Sequence, residues 1–187
     1  MHISAQDNES AAHAETMLVL LAQSGDRDAL EQLLREAYAP LRRYITYLVG
    51  VDFADDVLQE TSLQIFRKLR HLREPSVFRP WTFRIASRIA FAHLKRARRW
   101  QPLEEAPVEH LTALYPNLGE PADEGFLDLL DRVSPASRAV LLLHYQHELS
   151  LEESAAILEI PVGTAKSRLH YGVNTLRKHL TSERKPA

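Results

Sequence analysis

A basic segment near the C-terminus has the residue types and spacing of a helix that reads DNA. Ser150-Leu-Glu-Glu153 is a capping box that predicts a short helix, and Glu159-Ile160-Pro161 predicts a tight break before a longer one that ends near Leu180. A short helix, a tight turn and a long second helix are typical of a helix-turn-helix, whose second helix enters the major groove. The first turns of that helix should contact phosphates and base edges, and they carry Thr164, Lys166, Ser167, Arg168 and His170. An ordinary αα-hairpin with a solvated basic face is the alternative.

A second basic segment lies between residues 75 and 103, which include seven Lys and Arg residues and no Asp or Glu. Aromatic residues alternate with these cations. Cations neutralise phosphate and exposed rings stack on unpaired bases, so the mixture suits single-stranded or melting nucleic acid. Trp81 precedes Ile85 by four residues, which is more typical of a core residue than of a stacking platform. We therefore expect phosphate contacts first from Lys95, Arg96, Arg98 and Arg99.

No group of residues in the sequence indicates catalysis. The absence of Cys excludes a disulfide framework, a thiolate nucleophile and a Cys-based zinc site. His144 and His147 are spaced for a shared metal ion, but no third ligand is suggested. Residues 163–167 are similar to a phosphate-binding loop, yet the first glycine of that motif and the strand before it are missing. We expect no enzymatic activity, no metal and no cofactor.

The composition indicates a globular protein without a membrane segment. The chain has 187 residues, 45% of them hydrophobic, and a net charge of −2. The charges are unevenly distributed, since residues 104–131 include eight acidic residues and no Lys or Arg. The longest apolar run, near residues 139–143, is far shorter than the roughly 20 residues of a bilayer span. The first 25 residues lack the basic start of a secretory signal. We expect a cytoplasmic protein with no inserted segment.

Apolar residues recur at helical spacing along most of the chain, which predicts an all-α fold with two small helical domains. We expect a disordered tail over 1–16, a first domain over 17–100, an acidic linker with several prolines over 101–122, a second domain over 123–181 and a tail over 182–187. The first helix should cover Met17 to Ala22. Asp26 should cap the next helix, which Gly50 ends and which Pro40 can bend or split. A third helix is expected from about Ala54 to Leu72, and Val57, Leu58, Leu63, Ile65, Phe66 and Leu69 are available for the core. In the second domain, the capping serine and proline of Ser134-Pro135 predict the start of a helix.

These motifs resemble those of the bacterial extracytoplasmic-function (ECF) sigma factors of the sigma-70 family. Residues 150–169 are similar to the helix-turn-helix of region 4. Asp55-Asp56-Val57-Leu58-Gln59-Glu60 with Ile65-Phe66-Arg67-Lys68-Leu69 is similar to region 2.2, and Phe78–Ala86 is similar to regions 2.3 to 2.4. The likeness covers about residues 17–180, in the family's order and with its linker.

The resemblance implies a region 2 helix bundle and a region 4 helix-turn-helix, joined by a flexible linker, in a subunit that binds core RNA polymerase and directs it to promoter DNA. Region 2.2 would bind the clamp helices of the largest polymerase subunit. The residues that the motif assigns to this contact are Asp55, Asp56, Gln59, Glu60 and Phe66. The acidic start of that helix also opposes the helix dipole, which explains the carboxylates without any partner.

The resemblance also divides the DNA contacts between the two domains. The region 4 helix would read the −35 element as duplex, with Tyr171 added to the five residues named above. The loop 72–77 and the helix after it would engage the −10 element as it opens and one base leaves the stack. Arg84 and Arg88 would then join Lys95, Arg96, Arg98 and Arg99 in contacting DNA. Members of the family are commonly held inactive by an anti-sigma protein, which can be membrane-anchored.

The sequence departs from the family's pattern at two places. The family usually has an Arg-Asn pair after Ile85-Ala86 and an Asp a few residues later, whereas this chain has Ser87-Arg88 and then Ala92 or His93. Tyr171-Gly172 replaces a small-then-basic pair, and Gly lowers helix preference by about 1 kcal/mol relative to Ala. Two alternatives therefore stay open: a sigma-like protein that sequesters an anti-sigma factor without initiating transcription, and an ordinary regulator that binds duplex DNA without polymerase.

Overall fold

The described residues of the chain form helices and no strands, which confirms the all-α prediction. A computed structural model describes the backbone of residues 5–100 and 129–183, and the side chains of residues 10–97 and 129–180. The helices of the first unit are α1 (Ala5–Ser24), α2 (Arg27–Val49), α3 (Val51–Lys68) and α4 (Phe78–Trp100), with 3-10 turns at Leu69–His71 and Pro75–Val77. The second unit contains α5 (Pro135–Leu141), a π-helical turn (Leu142–Gln146), α6 (Leu151–Leu158) and α7 (Val162–Glu183).

Side-chain caps set the helix starts that the sequence predicts. The Asp26 carboxylate accepts hydrogen bonds from the backbone N–H groups of Asp28 and Ala29, both at 3.0 Å. Ser134 caps α5, with Pro135 at the first helical position. The capping box of α6 is complete, because Ser150 Oγ accepts from the Glu153 N–H at 3.1 Å and Glu153 Oε2 accepts from the Ser150 N–H at 2.8 Å. These caps satisfy backbone donors that the first helical turn leaves free.

One expectation about the N-terminal helices is wrong, and Pro40 does not split α2. α1 begins at Ala5, so most of the segment expected to be a disordered tail is helical, and the helix is much longer than Met17 to Ala22. α2 continues through Pro40 without a break. A proline inside a helix removes a single backbone donor, and the buried face of α2, with Leu33 before it and Leu41 after it, holds the helix in one piece.

The core of the first unit lies between α1, α2, α3 and α4. Its largest fully buried side chains include Tyr44, Ile45, Leu48, Phe78 and Phe83. The rings of Tyr44 and Phe83 meet edge to face, with centroids 5.4 Å apart. This core fixes α3 and α4 against α2, so the outward faces of both helices are held at a set spacing.

The second unit has a small core of its own. Ala155 of α6 and Ala165 of α7 are buried beside Val140 of α5, and these small side chains let the helices approach closely. Of the two alanines that the sequence offers on α6, Ala155 is buried and Ala156 is exposed. Between α6 and α7, Glu159 adopts the left-handed conformation (φ 55°, ψ 44°) that ends α6 and makes the tight turn of the helix-turn-helix.

The two units pack on each other and share one hydrophobic core. α6 packs against α4, and α5 and the π-helical turn pack against α2. Leu142, Leu143 and Ile157 of the second unit are buried in the same cluster as the core of the first. The predicted linker 101–122 lies outside the described residues, as does the helix predicted from Asp123 as far as residue 128. Residues 129–131 are helical, in agreement with that prediction, and Leu130 is buried. α7 extends to Glu183, into the predicted tail. Within the described ranges no helix is both long and apolar enough to cross a bilayer.

Candidate functional site

The second helix of the helix-turn-helix, α7, presents one outward face built from residues three and four positions apart. Lys166, Ser167 and His170 are exposed on this face, and Tyr171 at its edge is 68% exposed. Thr164 and Arg168 are half-buried. All six residues predicted to read the upstream element therefore lie on the first turns of α7, and four of them are fully available to a ligand.

Two hydrogen bonds orient side chains on this face. Ser167 Oγ donates to the Gly163 carbonyl at 3.0 Å, which leaves the hydroxyl lone pairs free to accept from a ligand. The His170 ring nitrogen Nε2 lies 2.8 Å from Asn174 Nδ2. Asn174 belongs to the same outward face and was missed in the sequence, where its spacing of four from His170 was the available signal. An amide beside an imidazole adds a polar group suited to base edges.

The acidic helix α3 exposes a continuous mixed face of carboxylate, amide and apolar groups. Asp55, Asp56 and Gln59 are exposed, and Phe66 is 56% exposed although it is a large aromatic residue. Asp52 and Leu63 fall on the same side of the helix at helical spacing and were missed. Leu63 is 49% exposed, so the prediction that it lies in the core is wrong. The same prediction for Phe66 is wrong for the same reason. Exposed apolar groups rimmed by charge are typical of a protein-binding surface.

Glu60 differs from the other residues assigned to this face. Its carboxylate Oε2 lies 3.2 Å from His93 Nε2 of α4, and its side chain is half-buried. Glu60 therefore helps to hold α3 against α4 and lies at the border of the exposed face. His93 occupies one of the two positions where the resembling family has an Asp, and here it faces α3.

The Lys and Arg side chains of α4 differ in how exposed they are to solvent. Lys95 and Arg96 are exposed, and Arg88 is exposed but paired with Glu159 of the second unit, with Nε 3.4 Å from Oε2. Arg84 is half-buried, and its Nε makes no hydrogen bond to any described residue. Arg84, Arg88 and Lys95 follow one line along the helix. The side chains of Arg98 and Arg99 lie outside the described residues.

Ser87, at a departure from the family's pattern, is a core residue. It is buried, and its Oγ donates to the Phe83 carbonyl at 2.8 Å and lies 2.7 Å from the Tyr44 hydroxyl. Burial raises the pKa of Tyr44, so the phenol stays protonated and pairs with the serine. A serine at this position satisfies a buried tyrosine hydroxyl. The surface positions at this departure are Arg88 and Ala92.

Trp81, His144 and His147 each contact other residues within the fold. Trp81 is half-buried, packs against the core and lies 6.1 Å from the Phe78 ring. His144 Nδ1 lies 2.7 Å from the Leu149 carbonyl, while His147 is buried between Tyr44 and Phe83. Among the described residues no three His, Cys, Asp or Glu side chains converge on a point that could hold a metal ion.

The sequence matches two family models, in the order in which the two units occur. Residues 30–100 match sigma-70 region 2, and residues 123–176 match sigma-70 region 4. The chain is 31% identical over 176 residues to the ECF RNA polymerase sigma factor SigC of Mycobacterium tuberculosis, with 90% of each chain covered. It is 29% identical over 177 residues to the ECF RNA polymerase sigma factor SigW of Bacillus subtilis, with 84% of this chain and 92% of the other covered.

A solved structure has a similar fold. The sigma factor RpoE from Bartonella quintana, in complex with the anti-sigma factor NepR, superposes with a TM-score of 0.68 and 25% identity, over 83% of this chain and 98% of that one. Both region models and relatives that match nearly end to end therefore identify the family. The chain belongs to the ECF RNA polymerase sigma factors of the sigma-70 family.

Proposed function

We propose that the exposed face of α3 binds core RNA polymerase, and that α7 and α4 contact the two elements of a promoter. The observation that carries this proposal is the position of Phe66, whose exposed ring shares one side of α3 with Asp55 and Gln59. A solvent-exposed aromatic ring among carboxylates costs solubility without helping the core. It is well suited to be a central anchor with a charged rim in a protein interface.

For the upstream element, we assign direct contact with duplex DNA to the outward face of α7. Lys166 can neutralise a phosphate, and Ser167, His170 and Asn174 can exchange hydrogen bonds with base edges in the major groove. Thr164, Arg168 and Tyr171 flank this face and can contact the backbone on either side. The half-buried position of Arg168 favours a contact that also fixes the orientation of the helix.

For the start-proximal element, we assign phosphate contacts to Arg84, Arg88, Lys95, Arg96, Arg98 and Arg99. The exposed members with described side chains are Arg88, Lys95 and Arg96, and a strand leaving the duplex could lie along the helix beside them. The loop 72–77 precedes this helix and is exposed at Arg73 and Glu74. A base that leaves the stack would be received there.

We further propose that an anti-sigma protein restrains this sigma factor in the cytoplasm, where polymerase and promoter DNA are found. The support is the Bartonella quintana relative, whose structure holds an anti-sigma factor on a similar fold. The α3 face is the surface whose occlusion would be most effective, because covering Phe66 removes the polymerase contact. The inhibitor can be soluble or membrane-anchored, and a small membrane protein encoded beside this chain would favour the second.

Run-off transcription with purified core polymerase tests the proposal. Promoter-dependent transcripts should appear with the wild-type chain and with Leu20→Ala, a matched change of an exposed leucine on α1, and should be lost with Phe66→Ala. Absence of any promoter-dependent transcript from inhibitor-free protein would refute a direct role in initiation and favour a protein that sequesters an anti-sigma factor. Tight specific binding to duplex promoter DNA without polymerase would favour an ordinary regulator.

A further inference from the structure

One side of α1 faces the loop 72–77, to which we assign the base that leaves the stack. α1 packs against the 3-10 turn that precedes this loop and against the 3-10 turn that ends it. Glu15, Val19 and Gln23 recur every four residues and so follow one line along α1. Val19 is fully buried in the core, and the two polar residues on either side of it are half-buried. This line of α1 therefore carries a polar group toward each end of the loop.

Gln23 holds the start of the loop through its side-chain amide. Its Nε2 donates to the Leu69 carbonyl at 2.9 Å and to the Leu72 carbonyl at 2.7 Å. The Leu69 carbonyl also accepts from the Leu72 backbone N–H at 3.0 Å, which is the bond that closes the 3-10 turn. Carbonyls at the C-terminal end of a helix lack donors from a following turn, and one amide group satisfies two of them here. Gln23 thus ties the end of the turn and the first residue of the loop to α1.

Glu15 holds the other end of the loop, about two helical turns before Gln23. Its carboxylate accepts a hydrogen bond from the backbone N–H of Arg79, in the first turn of α4. N–H groups in a first turn have no partner within their helix, and a negative charge there is stabilised by the helix dipole. At a rise of about 1.5 Å per residue, the two α1 positions lie about 12 Å apart. One helix therefore supplies a donor where the loop begins and an acceptor where it enters α4.

The residues between these two anchors include the exposed part of the loop. Arg73, Glu74 and Ser76 are exposed, whereas Leu72 and Val77 are half-buried. Ser76 Oγ donates to Glu74 Oε1 at 3.4 Å, and the Val77 N–H donates to the Glu74 carbonyl at 3.2 Å. The middle of the loop thus presents a guanidinium, a carboxylate and a hydroxyl to solvent. Such groups can exchange hydrogen bonds with the edge of an unpaired base.

A loop that is already held in shape is better suited to select a base than a mobile one. Extrusion of a base costs stacking energy, and a loop that must become ordered at the same time adds its backbone entropy to that cost. A mobile loop can also move its polar groups to suit different bases. Fixed groups, in contrast, leave a wrong base with unpaired polar atoms, which penalises it. Support at the two ends of the loop therefore affects the choice of base as well as its binding.

We propose that Glu15 and Gln23 are positioning residues that hold the loop 72–77 in the shape that selects the unstacked base. They act through the ends of the loop, and neither side chain contacts DNA. This inference rests on the proposed use of the loop and deepens it. It places part of the determinant of base choice on α1, where Gln23 lies 46 residues before the first carbonyl that it binds.

Hydrogen exchange of the free chain tests the positioning directly. Gln23→Met removes the donors but keeps the length of the side chain, so the Leu72 and Val77 amides should exchange about three- to tenfold faster, the factor that corresponds to one lost hydrogen bond. Gln32→Met is the matched control, because this exposed glutamine donates to Glu36 on its own helix, and it should leave both rates unchanged. Wild-type rates at both amides in Gln23→Met would overturn the proposal, and the measurement involves neither polymerase nor DNA.

Base substitutions in the −10 element test the consequence in the polymerase complex. Run-off transcription from templates that carry each of the four bases at each −10 position measures the preference at every position. Gln23→Met and Glu15→Met should lower the preference by about three- to tenfold at one position, that of the unstacked base, and leave the others unchanged. A general folding defect would instead lower transcription from all templates alike. A preference that falls at every position, or at none, would overturn the proposal.

Conservative variants complete the test. Glu15→Gln keeps an oxygen that can accept from the Arg79 N–H, and Gln23→Lys keeps a donor of similar reach, so both should retain the wild-type preference. Loss of the preference in these variants to the same extent as in the methionine variants would overturn the proposal. The wild-type chain separates this result from failure of the proposed function: without any promoter-dependent transcript from the wild type, the role in initiation itself is refuted.

Discussion

Gly172 of α7 lies directly against Leu141 of α5. A Cβ built on Gly172 would be 2.6 Å from Leu141 Cδ1, 3.1 Å from its Cγ and 3.5 Å from Ser137 Cβ. Leu141 is 5% exposed, so its side chain has little room to move away. Glycine is thus the residue that lets α7 approach α5 at this distance.

Gly172→Ala should destabilise the chain. Inserting a methyl group into a packed site costs about 1 to 3 kcal/mol, which exceeds the gain of about 1 kcal/mol in helix preference over most of that range. The measurement is the free energy of unfolding of the full chain in urea. Gly163→Ala is the control, because no atom lies within 4 Å of the added Cβ, and it should stabilise by up to about 1 kcal/mol. Equal effects at the two glycines would contradict the role of Leu141.

Lys166→Ala should weaken binding to duplex promoter DNA and reduce the dependence of binding on salt. A lost phosphate contact lowers the slope of log K against log salt by about 0.9. The measurement is the binding constant of the polymerase complex for promoter DNA at several salt concentrations. Lys178→Ala, at an exposed position late in the same helix, should change the slope less. A slope that Lys166→Ala leaves unchanged would place this side chain away from the DNA backbone.

Phe66→Ala should weaken binding to core polymerase without affecting the fold. Truncating an aromatic anchor at the centre of an interface costs about 2 kcal/mol or more, which corresponds to a rise in Kd of at least about thirtyfold. Because Phe66 is 56% exposed, the thermal unfolding of the free chain should change little. Leu20→Ala, at a position 46% exposed on α1, should alter neither quantity. If both variants bind polymerase with the wild-type Kd, Phe66 is not part of the interface.

Local sequence signals predicted the helix starts and the exposed face of α7 because the causes are local. The side chains of Asp26, Ser134 and Ser150 cap backbone groups within three residues, so spacing alone identifies them. The positions from Thr164 to Tyr171 fall on the first turns of one helix. The helical period therefore determines which of these side chains face outward. Which of them contact DNA stays a prediction.

The remaining features depend on neighbours far along the chain, which spacing cannot identify. Ser87 is buried because Tyr44, on another helix, needs a hydrogen-bond partner. Leu63 has the helical spacing of a core residue but faces outward, since the buried side of α3 is already filled by Val57, Leu58 and Ile65. The packing of α6 on α4 was not predicted, because helical spacing identifies a buried face but not the helix that covers it.

Acid should destabilise the folded chain through His147. Burial between Tyr44 and Phe83 lowers the pKa of this ring from 6.5 to about 4, with Arg79 and Arg43 acting in the same direction, so the folded chain binds fewer protons than the unfolded chain. The stability that the neutral ring contributes is present above about pH 6.5 and is lost as the pH falls toward 4, by up to about 3 kcal/mol at about 1.4 kcal/mol per pKa unit. The measurement is the free energy of unfolding in urea between pH 7.5 and pH 5. His147→Phe keeps an aromatic ring against Phe83 but cannot be protonated, so its free energy of unfolding should fall less over this interval. Equal acid-induced losses in both chains would show that another group controls the pH dependence, because the phenylalanine variant has no proton to bind at this position.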